Sequence, residues 1–333
     1  MKADELFVSI VVPCYNEEKN IRKCIESVLA CAYEKSEIIS VDDSSNDSTM
    51  SILEEYSKRG LIKYVRGNER GGTIKAINAG VRVASGSIIG VVPGDSYVEK
   101  SWIERAVTHF SSRGDVIAVG GPLKSLQGGY WGRCGELLDD LLLGAGLEIS
   151  LLPGANMFIK SDVLSALGFF DERIKVGEDF DMNIRLRDYA KKTAGRVIFD
   201  EELKVHTAYP KNLVEEAKRR FRWGIGRSRA LMKNKEMNLK AWIRVCYTPT
   251  LLGLFFLTII VIRLFSSLLM IAISVLILAL LLPVLVLLLA SQLDTHRKEK
   301  LNIGKKEIAG IVLLAYTRLI FGSLGSICGL AKS

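Results

Sequence analysis

The residues most able to do chemistry in this chain stand in two short stretches. Pro13-Cys14-Tyr15-Asn16-Glu17 follows the aliphatic run Val8–Val12, and Asp42-Asp43-Ser44-Ser45 follows the run Glu37–Val41. An aromatic ring, an amide and three carboxylates thus sit just past two apolar runs. Both runs are short and β-branched, and a helical pattern follows each, so they read as adjacent parallel strands of an α/β sheet. Ligands of such sheets bind outside the carboxyl ends of the strands. These side chains are therefore aimed at one polar, partly acidic pocket, unlike the glycine-rich loop of a dinucleotide or P-loop binder.

The elements that must hold this pocket follow from periodicity. Ile21, Cys24, Ile25, Val28 and Leu29 recur at helical spacing between about Glu17 and Ala32. Asp47-Ser48-Thr49 can start a second helix with Ile52, Leu53 and Tyr56 inward. Ile62–Val65 is a strand, Ile74, Ile77, Val81 and Ala84 mark a helix, and Ser87–Val92 is a strand that stops at Pro93-Gly94-Asp95-Ser96. A helix over Glu99–Ser111 leads to the strand Val116–Val119. This alternation predicts an α/β fold with helices on both faces of a mostly parallel sheet. Beyond Gly120 the glycines mark a loop-rich region around a helix at Glu136–Leu143, which builds binding surface more readily than core. A helix begins near Ser161-Asp162, another runs from Gly177-Glu178-Asp179 to about Ala190, and the strand Arg196–Phe199 precedes Val205-His206.

The 333 residues allow one large domain plus further elements. Leu268–Ala290 is interrupted only by Ser274 and Pro283 and is long enough for a bilayer core of roughly 30 Å. Val245–Ile262 is a shorter candidate span, and Ile308–Leu330 is a third, interrupted by Arg318. That arrangement reads as a cytosolic domain over residues 1–210, a basic connector over 211–244, a transmembrane hairpin over 245–290, a basic cytoplasmic loop over 291–307 and a spanning or interfacial helix over 308–333. No apolar segment opens the chain, so no signal peptide is expected. The net charge of +8 is concentrated. Glu215–Arg244 carries ten Lys or Arg against three Glu, and Ser291–Glu307 five basic residues against three acidic ones. Basic flanks favour the cytoplasmic side, and a hairpin turning near Arg263 puts both there, with the domain facing the cytoplasm of a multi-pass protein. Their place beside the spans makes anionic lipid the expected counterion, and no nucleic-acid partner is expected. The six cysteines form no CxxC pair and read as reduced thiols.

In order, Pro13–Glu17, Asp42-Asp43-Ser44-Ser45-Asn46-Asp47, Asn78-Ala79-Gly80, Gly94-Asp95, Gly154-Ala155-Asn156, Gly177-Glu178-Asp179 and Arg222-Trp223 resemble the motifs of family 2 inverting glycosyltransferases of the GT-A fold. The resemblance spans Val8–Trp223 and implies a membrane-bound enzyme that moves a sugar from a nucleotide-diphosphate donor to a lipid-linked saccharide or polysaccharide acceptor. It puts Pro13, Tyr15, Glu17, Asp42 and Asp43 at the nucleotide, where Tyr15 can stack on a base and a carboxylate can accept a base N–H or ribose hydroxyl. Arg70 could meet the diphosphate as a bidentate fork. A UDP-sugar is the family's commonest donor, and a GDP-sugar is not excluded by Asp and Tyr. The family's D-x-D metal motif here reads Pro93-Gly94-Asp95, so Asp95, with His206 as a helper, would hold Mg²⁺ or Mn²⁺ together with substrate phosphates. The family's base is the second acidic residue of Gly177-Glu178-Asp179, which implies Asp179 as base beside Glu178. Asn156, Arg222 and Trp223 fall to the acceptor and the departing diphosphate, although Trp223 would equally suit an interfacial helix. Arg219 stands where the family has Gln.

Two alternatives remain at this stage. A polyprenyl-phosphate sugar transferase would use the same membrane tail. An inactive relative serving as a membrane scaffold would explain the missing first Asp of the metal motif, but Asp95, Glu178 and Asp179 are all retained.

Overall fold

The computed structural model describes residues 6–31, 33–126, 129–144, 152–174, 176–234 and 305–331. It divides into two compact units, residues 1–128 with 149–209, and residues 129–148 with 210–333. The spans expected at 245–262 and 268–290 lie outside the described residues.

The first unit is built on a seven-stranded sheet ordered β3-β2-β1-β4-β8-β6-β9. Its centre is β1 (Val8–Cys14), paired in parallel with β2 (Ser36–Asp42) and β4 (Ile88–Val91). β3 (Lys63–Arg66) extends it in parallel from β2, and β6 (Val116–Gly120) pairs in parallel with β9 (Arg196–Phe199). β1 is apolar without alternation because both its faces are covered. Ile10 and Val12 join one core with α1 (Ile21–Leu29), α2 (Thr49–Lys58) and α4 (Trp102–Ser112). Val11 joins a second core with α3 (Thr73–Val83), α6 (Ser161–Ala166) and α7 (Glu178–Thr193). The expected mostly parallel α/β sheet is therefore present.

One strand departs from the expectation. β8 (Met157–Lys160) lies between β4 and β6 and runs antiparallel to both. Its Phe158 is wholly buried and tilts against Trp102 with ring centroids 4.4 Å apart. A separate three-stranded sheet joins β5 (Tyr97–Val98), β10 (Val205–Thr207) and β7 (Leu123–Ser125) in the order β5-β10-β7.

The second unit contains α5 (Tyr130–Gly144), α8 (Leu213–Lys233) and α9 (Lys305–Ala331). The helix expected at Glu136–Leu143 within the loop-rich region is present as α5, and it belongs to this unit. Cys134, Leu137 and Leu138 of α5 form a core with Ile311 and Leu314 of α9. Asn212 caps α8 by accepting the Glu215 amide at 2.9 Å, and the Glu215 carboxylate accepts the Lys211 amide at 2.9 Å. α8 and α9 touch backbone to backbone: a Cβ on Gly224 would collide with the Gly322 carbonyl, and one on Gly325 with that of Phe221. Ala309–Leu330 of α9 is long and apolar enough, by length and composition, to cross a membrane. Its Arg318 is paired within the unit, where Nε donates to Glu216 at 2.6 Å and Nη1 donates to Asp139.

Candidate functional site

The parallel register of β1 and β2 puts Cys14 opposite Asp42, so the two motif-bearing ends finish level. The Asp43 amide donates to the Cys14 carbonyl at 2.9 Å and ties the ends together. The loops beyond are laced: the Asn16 amide donates to Ser45 Oγ, the Asn46 amide to Asn16 Oδ1, and the Glu17 amide to Thr49 Oγ1. Asn16 and Ser44 take left-handed φ values of 55° and 62°, which is cheap for Asn and costly for Ser. Pro13 is buried and Tyr15 half-buried.

Asp42 is wholly buried. Its Oδ1 accepts the Ser45 amide and hydroxyl, while its Oδ2 is buried without a hydrogen-bond partner. Ser40 Oγ and Tyr64 Oη are buried and unpartnered too, and Ser40 stands opposite Tyr64 in the β2–β3 ladder. Burial and the charge of Asp42 push the Tyr64 phenol up to about 12. A buried acceptor without a donor is costly, so this group suits a ligand N–H or an ordered water. Sequence reading did not single out Ser40 or Tyr64.

Asp43 is committed differently. Its two oxygens accept the Gly71 and Gly72 amides at 2.7 and 2.8 Å. It thereby fixes the loop that carries Arg70, whose guanidinium lies 4.0 Å from the centroid of the Tyr15 ring. The stacking face expected to receive a base is thus covered by Arg70.

The end of β4 joins the same locality, because the Gly94 amide donates to the Pro13 carbonyl at 3.0 Å. Asp95 is half-buried, with its Oδ1 3.0 Å from Ser96 Oγ. Burial, assisted by the charges of Asp95 and Asp47, raises the Glu17 carboxyl against a lowering bond from Asn20. His206 pairs with Tyr97, two residues beyond Asp95, in the small sheet. Its ring stacks on Tyr97 at 4.6 Å, and its Nε2 lies 3.4 Å from Glu99 rather than on Asp95. Among the described residues no group of three His, Cys, Asp or Glu could hold a metal ion alone.

Gly177, at φ 86°, opens α7 and presents Glu178 and Asp179 in its first turn. Asp179 Oδ1 accepts the Phe180 amide at 2.7 Å and Oδ2 the Gly154 amide at 3.4 Å. A Cβ on Gly154 would lie 3.1 Å from that of Asp179, a close approach that would press on the Asp179 side chain. Burial raises both carboxyls. It carries Glu178, next to the charge of Asp179, up to about 7. Asn156, expected toward the acceptor, is enclosed within the fold. It is wholly buried, with Oδ1 accepting from Trp102 Nε1 at 2.9 Å and Nδ2 donating to the Leu203 carbonyl at 2.6 Å. It holds the turn in place.

Residues 9–158 match the sequence model of Glycosyl transferase family 2, and residues 140–291 match that of Glycosyl transferase family group 2. The chain carries a glycosyl transferase family 2 domain. Glycosyltransferase AglE of Haloferax volcanii is 29% identical over 256 residues, covering 73% of this chain and 82% of that protein. Poly-beta-1,6-N-acetyl-D-glucosamine synthase of Staphylococcus aureus (strain COL) is 25% identical over 246 residues, covering 70% and 58%. The mannosyltransferase PcManGT of Pyrobaculum calidifontis, solved with GDP-Man and Mn²⁺, superposes with a TM-score of 0.68 at 20% identity, covering 97% of this chain and 87% of that one. That likeness establishes the GT-A fold for this glycosyltransferase.

The remaining expected residues of the glycosyltransferase, Arg222 and Trp223, lie in the second unit on α8. Both are exposed, and the Trp223 ring carries the guanidinium groups of Arg219 and Arg220 at 5.0 and 4.6 Å from its centroid. Those two arginines are held in turn by the wholly buried Glu216, at 2.9 Å each.

Proposed function

We propose that this glycosyltransferase moves a sugar from a nucleotide-diphosphate donor to a hydroxyl of a lipid-linked saccharide or polysaccharide acceptor, with inversion at the anomeric carbon. The observation that carries this reading is the buried Asp42 carboxylate with one oxygen unpartnered, beside Tyr15 and Asp95 at the ends of adjacent parallel strands. A base N–H supplies the donor that Asp42 lacks, and Tyr15 supplies a stacking face once Arg70 moves aside. A uridine donor is the first expectation; the GDP-Man bound by the Pyrobaculum protein makes guanosine the second to test. The synthase name of the Staphylococcus relative supports a saccharide acceptor.

Asp95 fits a divalent cation, Mg²⁺ or Mn²⁺, as one carboxylate ligand among donor phosphates. The neighbouring Glu17, whose ionisation Asp95 opposes, favours a cation at the same place. His206 could assist only by leaving Glu99. When bound, the ion would neutralise charge on the departing diphosphate. The acceptor hydroxyl oxygen bonds to the anomeric carbon as the bond from that carbon to the diphosphate oxygen breaks. The hydroxyl proton passes to Asp179, and the nucleoside diphosphate leaves. The amides of Phe180 and Gly154 orient the Asp179 carboxylate for that transfer.

The decisive experiment is Asp179→Asn. Loss of a general base should lower turnover by roughly 100-fold or more, while donor binding measured by calorimetry with Mn²⁺ stays within about threefold. Normal turnover by this variant would remove Asp179 as base.

A further inference from the structure

Asn183 lies one turn beyond Asp179 on α7, flanked by buried Met182 and Ile184, and is itself only 3% exposed. Burying a primary amide is costly unless its hydrogen bonds are made. Here three are made. Oδ1 accepts the Leu152 amide at 2.7 Å, and Nδ2 donates to the Leu152 carbonyl at 2.8 Å. Nδ2 also donates to the Asp179 carbonyl at 2.7 Å. One side chain thus grips both backbone groups of Leu152, a residue outside any strand, and ties them to the backbone of the candidate base.

Two residues after Leu152 comes Gly154, whose amide meets Asp179 Oδ2 at 3.4 Å. A bond that long does little alone to fix a carboxylate. It does, however, close a ring. The ring runs from the Asp179 carboxylate to Gly154, back along the chain to Leu152, and through the Asn183 amide to the Asp179 carbonyl. Asn183 thereby sets where Gly154 stands, and so where the carboxylate points. Asn78 offers a comparison within the same unit. It grips the amide and carbonyl of Phe170 in the same way, at 3.1 and 2.8 Å, but its third bond goes to Glu172 and to neither acid of the turn. The contact with Asp179 is what sets Asn183 apart.

We infer that Asn183 is a positioning residue for the proton transfer, holding Asp179 at the angle from which it takes the acceptor proton. The inference rests on the reading of Asp179 as base. Misplacing a catalytic group by about an ångström can cost on the order of 100-fold. Asn183→Ala should therefore lower kcat by roughly tenfold or more, while donor affinity, by calorimetry with Mn²⁺, stays within about threefold. Turnover is followed as Mn²⁺-dependent hydrolysis of UDP-glucose, UDP-N-acetylglucosamine or GDP-mannose by the full chain, well below the melting temperature of each variant. Asn183→Ser keeps a hydroxyl for the Asp179 carbonyl but releases Leu152. It should show a smaller loss, and it carries the test if Asn183→Ala does not fold. The decisive readout is a double variant. With the base already gone in Asp179→Asn, adding the Asn183 substitution should change the residual rate by less than about twofold. A side chain that only supports the fold would lower both backgrounds by the same factor. That result, or an unchanged kcat in the Asn183 variants, overturns the inference. Hydrolysis of none of the three donors, or normal turnover by Asp179→Asn alone, would instead remove the base reading beneath it.

Discussion

Arg70 and the Glu178–Asp179 pair carry the sharpest consequences at the scale of single residues. Arg70 covers Tyr15 at 4.0 Å on a loop pinned by both oxygens of Asp43. A base stacking on Tyr15, as proposed, would have to displace that guanidinium, leaving it free for the diphosphate. Arg70→Ala should therefore bind a nucleoside no more weakly than the unaltered chain, yet bind the nucleoside diphosphate roughly tenfold less well, as a lost charge-assisted contact implies. Calorimetry with the two ligands checks this, and equal losses for both would refute the exchange. Glu178 gives a pH signature. Burial and the charge of Asp179 raise it from the ordinary 4.5 to about 7. The folded chain thus holds this proton more tightly than the unfolded chain. The stability it contributes is complete below pH 4.5 and is lost as pH rises toward and through about 7. Glu178→Gln should raise the melting temperature more at pH 8 than at pH 5. With Asp179 as the base, turnover of this variant should stay within about tenfold, and a step near pH 7 should vanish from the pH–rate profile. Collapse of turnover in Glu178→Gln would instead move the base to Glu178.

The helices of the second unit turn on one buried ionic cluster. Glu216 is fully enclosed, and burial alone would push its carboxyl up, but Arg220, Arg219 and Arg318 hold it at about 2. Breaking such a pair by removing one partner costs about 3–5 kcal/mol, because the other charge stays buried. Arg318→Met should accordingly lower the melting temperature strongly, and adding Asp139→Leu should restore part of it. A thermal scan of the single and double variants measures this coupling, and additive losses would argue against one cluster. Arg318 also shows what the sequence could and could not reveal. A charge inside an apolar run is visible as an anomaly, but its partner Glu216 stands 102 residues away, and only the fold joins them. The same holds for Asn156, whose amide oxygen accepts from Trp102, 54 positions earlier, a bond no local pattern announces. By contrast, the β1 and β2 ends were legible, because an aliphatic run stopping at polar residues fixes both a buried strand and its exposed tip. β8 was not. Four residues running straight into a helix carry too little periodicity to announce a strand, and nothing local makes it antiparallel.

For the molecule as a whole, the packing of α9 bears on how the chain would meet a membrane. Its length and composition would let Ala309–Leu330 cross one. Its packing argues otherwise. Gly224 and Phe221 of α8 touch Gly322 and Gly325 of α9 backbone to backbone, and Gly329 packs against the Ile225 backbone and the Ser228 side chain. The two helices therefore share one depth along that stretch. α8 carries Arg219, Arg220, Arg222, Arg227 and Arg229 within its 21 residues. Each arginine near a bilayer centre costs at least roughly 2.5–3.5 kcal/mol unless it is paired or reaches water, and Arg222 is exposed without a carboxylate among the described residues. If the chain meets a membrane, a helix bound to α8 along its glycine face would be better placed at the polar interface, where exposed Val214, Trp223 and Phe321 would face the lipid boundary and the arginines the headgroups. It follows that Ser333 should lie on the same side as the basic segment at Ser291 and as the first unit. In sealed vesicles, cysteines introduced at Ser333, Ser291 and exposed Lys100 should react together with an impermeant maleimide from one side, over the background of the unaltered chain. A cysteine at Arg263, the expected turn of the hairpin, should react from the other. Labelling of Ser333→Cys with Arg263→Cys instead would make α9 a full span and would require α8 to be drawn into the bilayer with it.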